Sequence, residues 1–120
     1  MSELLGIGRI KLHEGKFEEY KRLSAQALEI VKARDTGTLQ YDVFCNDDQS
    51  ECVFIERYRD SDALIEHGAH MADITEAVLA TGTVEGEVLG EPSEELREKL
   101  AASPVRLFTP LLSMKPVEDQ

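Results

Sequence analysis

"GTLQYDVFCNDDQSECVFIERYRDSDALIEH", residues 37–67, changes its hydrophobic period at each polar break, and those changes decide the fold. From Thr38 to Asn46 the side chains alternate. Leu39, Tyr41, Val43 and Cys45 share one face and Gln40, Asp42 and Phe44 the other, the period-two signature of a strand. Asn46–Ser50 is a polar turn, and Glu51–Tyr58 resumes as a strand through Val53, Phe54 and Ile55. Two strands joined by so short a loop form an antiparallel hairpin. Asp60 or Ser61 then caps a helix, with Asp62 near the positive end of its dipole. That helix runs from Asp62 toward Thr81, with a break expected at Gly68.

Working outward, Leu5–Leu12 alternates around Ile7, Ile10 and Leu12 and reads as a first strand, stopped by Glu14-Gly15. Lys16 to Ala33 is helical: Phe17, Tyr20, Leu23, Ala27, Ile30 and Val31 form one stripe, opposite Glu18, Glu19, Arg22, Glu29 and Lys32. Asp35-Thr36-Gly37 stops this helix, and on the far side Thr83–Leu89 supplies a fourth strand. The order β-α-β-β-α-β predicts an α+β, ferredoxin-like domain over residues 1–90, an antiparallel sheet with helices on one face. Residues 91–120 form a C-terminal extension. Ser93 caps a short helix with Glu94 and Glu95 in its first turn, Pro104 ends it, and Val105–Met114 is extended. Glu118–Gln120 reads as a frayed end.

A chain of 120 residues with 42% hydrophobic and 31% charged residues suits one domain with a packed core. Its net charge of −11 repels phosphate backbones and anionic lipids, which argues against nucleic acid and membrane surfaces as partners. The sequence has no apolar run of the roughly 18 residues that a membrane helix needs, and its start lacks a secretory pattern. The expected location is cytoplasmic, where the two cysteines, Cys45 and Cys52 across the hairpin turn, are expected as reduced thiols. The sheet face without helices carries one alternate set among Tyr41, Val43, Phe44, Phe54, Ile55 and Tyr58. That face is too apolar to stay wet, so a homodimer is expected, with Arg106–Leu112 available to cross to the second copy.

Chemistry-bearing residues are few. His67 and His70 share a helix face, but two histidines do not make a metal site, and the spacing does not require Glu56 or Glu66 to complete one. We expect no metal. Leu64 and Met71, at i−3 and i+4, tilt His67 inward, where an imidazole needs a hydrogen-bond partner and can act as a base near neutral pH. The alternative is a satisfied core histidine; His70 is expected to be a bystander. Glu56, among apolar strand residues, is expected to be partly buried and paired with Arg57 or Arg9. Tyr41 and Tyr58 offer phenol hydrogen bonds to a ligand, or simply pack the sheet. Gly6-x-Gly8 lacks the third glycine and the helix of a nucleotide loop. These residues alone give a fold and a pocket, and no named reaction.

The set Gly37, Tyr41, Glu56, Tyr58, Asp60, Ala63 and His67, in that order and spacing, resembles the antibiotic biosynthesis monooxygenase family, and Lys16–Ala33 resembles that family's long first helix. Ala72 stands where many members have a second histidine. The resemblance, over roughly residues 5–90, implies a dimeric α+β barrel with a small apolar pocket between sheet and helices. It implies oxidation of aromatic or quinol-type molecules by molecular oxygen without metal or flavin. His67 would be the catalytic base or hydrogen-bond partner, and Tyr41, Glu56 and Tyr58 would bind the substrate. The family also includes haem-degrading proteins, so two alternatives accompany the enzyme reading: a non-catalytic barrel holding a small apolar ligand, and a haem binder.

Overall fold

The computed structural model describes residues 2–115. Its elements are β1 (Leu4–Leu12), α1 (Phe17–Arg34), β2 (Thr38–Cys45), β3 (Glu51–Tyr58), α2 (Ser61–Leu79), β4 (Gly82–Leu89), α3 (Glu94–Ala101) and β5 (Arg106–Phe108). Gly15, at φ 80°, makes the turn from β1 into α1 in a conformation that side-chain-bearing residues avoid. Asp60 caps α2, its carboxylate accepting from the Ala63 backbone N–H at 2.9 Å. Ser93 does the same for α3 through Leu96.

The strands lie in the order β2-β3-β1-β4-β5. The first four are antiparallel, the arrangement of a ferredoxin-like sheet. β5 departs from the expected all-antiparallel sheet: it runs parallel to β4, Val88 opposite Leu107, because α3 intervenes as a crossover. Arg106–Phe108 thus adds to its own chain's sheet. Leu111, Leu112 and Met114 beyond it are exposed. Two further expectations are corrected. α2 is continuous through Gly68, since one glycine in a well-packed helix costs only about 1 kcal/mol. Leu39 leaves the inward face because the β2–β3 register shifts between Thr38 and Gln40, which exposes it.

Both long helices cover the face that carries Ile10, Tyr41, Val43, Phe54, Glu56 and Tyr58. Ala27 and Val31 of α1 meet Met71 and Ile74 of α2. Ile10, Tyr20 and Cys52 close one end of the core. At the other end Leu96 and Leu100 of α3 join Leu4, Tyr58, Ala63 and Val88, so the extension packs on the sheet of its own domain. Burying a side chain of this size contributes about 1.5–3 kcal/mol. Residues 116–120, with the expected frayed end, lie outside the described residues. Among the described residues no helix is long and apolar enough to cross a membrane.

Candidate active site

The core clusters leave a gap between α1, α2 and the sheet, a cavity of about 310 Å³, which is at the lower end for small-molecule sites. Leu23 and Ala27 of α1, Met71, Ile74 and Val78 of α2, and Val43, Phe54 and Val84 of the sheet give it apolar walls. Polar groups come from Tyr20, Ser24, Tyr41, Glu56, His67 and Thr75, and no Lys or Arg lines it among the described residues. Gly8 leaves room for the outer edge of the Phe54 ring, with which a Cβ there would collide.

Of the four residues singled out from sequence, Tyr41, Glu56 and His67 line this cavity. Tyr58 lies behind them, almost fully buried, its hydroxyl donating to Glu56 Oε1. The His67 ring is flanked by Tyr41 and Tyr58, with centroids at 5.7 and 5.4 Å. Its Nε2 lies 3.8 Å from Glu56 Oε1. Glu56 is therefore not paired with an arginine as expected. Arg9 and Arg57 point to the opposite face of the sheet, where Arg57 meets Glu3 and Gln40.

The residue that sequence reasoning missed is Asp35. Read only as a helix stop, it sits just past α1 with its side chain 1% exposed. Its Oδ2 lies 2.8 Å from His67 Nδ1, and its Oδ1 2.6 Å from His70 Nδ1. Thr38 Oγ1 donates to Oδ2 at 2.7 Å. His70, expected to be a bystander, is thus a partner of the same carboxylate. An aspartate ending one helix and a His-x-x-His on the next was the available signal, but only the sheet crossing brings them together. Nearby, Glu66 accepts from the Thr36 backbone N–H and hydroxyl at 3.0 and 2.9 Å rather than facing the histidines as a ligand. Among the described residues no group of three His, Cys, Asp or Glu side chains converges as a metal cradle. Cys45 and Cys52, expected as reduced thiols, are joined as a disulfide because the hairpin register sets them directly opposite.

The electrostatics separate the roles. Burial raises the Tyr41 and Tyr58 phenols far above their usual range, helped by the charge of Glu56, and raises Tyr20 as well. None of the three is then a phenolate near neutral pH. Burial also raises the Glu56 carboxyl, offset only in part by His67 and the Tyr58 hydrogen bond. For Asp35, burial pushes upward but the hydrogen bonds from His70, His67 and Thr38 outweigh it, holding the carboxyl below its ordinary value. The site therefore offers an imidazole nitrogen toward an apolar cavity, a carboxyl biased toward its neutral form beside it, and an ionised carboxylate behind.

The model of the antibiotic biosynthesis monooxygenase family matches residues 5–76, more than half of the chain. Among solved structures, MupZ from Pseudomonas fluorescens superposes with a TM-score of 0.81 at 20% identity, covering 97% of this chain and 96% of its own. Rv0793 from Mycobacterium tuberculosis gives 0.68 at 26%, covering 78% and 98%. SnoaB from Streptomyces nogalater, a cofactor-independent oxygenase, gives 0.65 at 22%, covering 73% and 91%. No curated protein matches the chain at a significant level. The MupZ likeness covers nearly the whole chain and so takes in the C-terminal helix and strand. With a family model spanning both the hairpin and the helix that carry Tyr41, Glu56 and His67, the chain belongs to the antibiotic biosynthesis monooxygenase family.

Proposed function

We propose that the chain is a cofactor-independent monooxygenase that oxidises a small, neutral aromatic or quinol-type molecule with molecular oxygen. The observation that carries this reading is His67, whose Nε2 is turned toward Glu56 at the wall of an apolar cavity while Nδ1 is engaged by Asp35. SnoaB's description as a cofactor-independent oxygenase gives the reading its reaction class. A deprotonated phenol or quinol is itself a reductant. His67 removes the proton, and the anion passes one electron to oxygen. The resulting radical and superoxide form a C–O bond, and the hydroperoxide loses water. One oxygen atom ends in the product carbonyl and the other in water, so a quinol leaves as a hydroxyquinone. Glu56, as its neutral acid, and Tyr41 donate hydrogen bonds to the developing anion at the cavity wall. Without a lining cation and with a net charge of −11, an anionic substrate is disfavoured.

The protein acts, in this reading, as a cytoplasmic homodimer joined through the sheet face opposite the helices. In that compartment thiol exchange governs whether Cys45 and Cys52 stay bonded. Oxygen consumption on a panel of quinols and anthrones, without added metal or flavin, tests the activity. His67→Ala is expected to lower kcat by about 10²–10⁴, the usual contribution of a general base. Equal rates for variant and wild type would remove His67 from the chemistry. The apolar walls favour, as second reading, a non-catalytic carrier of a small apolar ligand. It predicts saturable binding in calorimetry with no oxygen uptake on any substrate. Haem, for which a Soret band on titration is the check, would require the cavity to widen.

A further inference from the structure

We propose that Asp35 is the positioning residue of this site, fixing His67 in the tautomer that leaves Nε2 free to face the cavity. The assignment rests on the base reading of His67 and adds a residue and a mechanism to it. Three donors converge on one buried carboxylate: His67 and Thr38 on Oδ2 and His70 on Oδ1. An ionised carboxylate only accepts, so the Nδ1 of His67 carries the proton and its Nε2 carries the lone pair. That lone pair is on the side of Glu56, at 3.8 Å.

The placement runs against local preference. A negative side chain at the end of a helix faces the negative end of its dipole, and Asp35 directly follows the last turn of α1. Its side chain is almost fully buried as well. A residue placed against two local rules and satisfied by three donors is the kind of inconsistency that marks a functional position. His70 completes the device. By occupying Oδ1, and with Thr38 on Oδ2, it leaves the carboxylate one orientation in which to meet His67. The corner is pinned a second time, since Thr36 binds Glu66 of the same helix.

The test is the ¹⁵N chemical shifts of the His67 ring in the wild-type chain, at a pH where it is neutral, compared with Asp35→Asn. The expected wild-type pattern is a protonated Nδ1 and an unprotonated Nε2. The isosteric amide can turn its N–H₂ toward the ring, so the variant is expected to shift His67 to the Nε2–H form. A comparable exchange in a Ser-His-Asp triad drops kcat by about 10⁴; here a loss of kcat of about 10²–10⁴, with KM little changed, is expected. His70→Asn should cost up to about tenfold, and nothing further when Asp35 is already Asn. A wild-type Nε2–H tautomer, or an unchanged Nδ1–H tautomer in a folded Asp35→Asn chain, overturns the assignment. The wild-type spectrum needs no variant to fold and no substrate to turn over. An inactive chain with the Nδ1–H tautomer would sink the monooxygenase reading alone.

Discussion

Glu56 and Asp35 lie on opposite sides of His67, and burial acts on them with opposite outcomes. Glu56 has one strong donor, Tyr58, and a raised pKa; Asp35 has three donors and a lowered one. The linkage signs follow. A carboxyl whose folded pKa is raised contributes stability that is complete below its unfolded value and is lost as pH rises through the folded value. For Glu56 the decline begins near 4.5 and continues upward. Asp35 is the reverse: its contribution is present above about 3.9 and is lost as pH falls through its lowered folded value. Glu56→Gln keeps a group that hydrogen-bonds Tyr58 and removes the titration. Urea denaturation of the variant should match wild type near pH 4 and show a stability advantage that widens toward pH 8. A gap that stays constant across that range would mean Glu56 is not buried against His67 in solution. At this scale the sequence was partly legible. The i−3 and i+4 neighbours of His67 announced its inward tilt, and Glu56's burial followed from its strand. Asp35 was not legible, because its meaning arises only from a contact with a helix 32 residues on.

Between elements, the pattern of short family positions has one physical explanation. Gly37 immediately precedes β2, where a Cβ would press against the side chain of Ala63 and the guanidinium of Arg59. The Gly37 carbonyl accepts from the Arg59 N–H at 2.8 Å, and Asp60 caps the helix whose first turn holds Ala63. Gly37, Asp60 and Ala63 together seat the start of α2 against β2, and His67 lies one turn further along that helix. Gly37→Val is therefore expected to lift the N-terminus of α2. Overpacking of this kind costs about 1–3 kcal/mol, and the melting temperature should fall accordingly. Quinol turnover should fall as well, since His67 moves with its helix. Asp60→Ala removes only the cap, at about 1 kcal/mol; a loss as large as that of Gly37→Val would mean the seam is held by capping rather than by close approach. The element order and nearly all boundaries could be read from periodicity and caps. The parallel β5 could not, because three residues give no period to read.

For the whole molecule, the open sheet face sets the remaining expectation. Leu5 and Ile7 of β1 pair with neighbours such that Val53 and Ile55 of β3 share their face, with Phe44 of β2 exposed at its edge. No helix covers this side among the described residues, and around the apolar centre stand Arg9, Glu85, Glu87 and Arg106. Charges of both signs on one patch can pair with their own copies across a twofold axis. Against this works the net charge of each chain, −11, which makes two copies repel at long range. The apolar centre must therefore drive association, and screening must help it. Sedimentation equilibrium of the wild type should give twice the chain mass. Affinity should strengthen from about 0.01 M to 0.15 M salt, as the Debye length falls from about 30 Å to 8 Å. Ile7→Glu puts a charge at the centre of the face without touching the cavity, since Ile7 points away from the helices. It should yield a folded monomer by circular dichroism. A wild type that stays monomeric at micromolar concentration in 0.15 M salt, or an Ile7→Glu chain that still dimerises, would show that something other than a second copy covers this face.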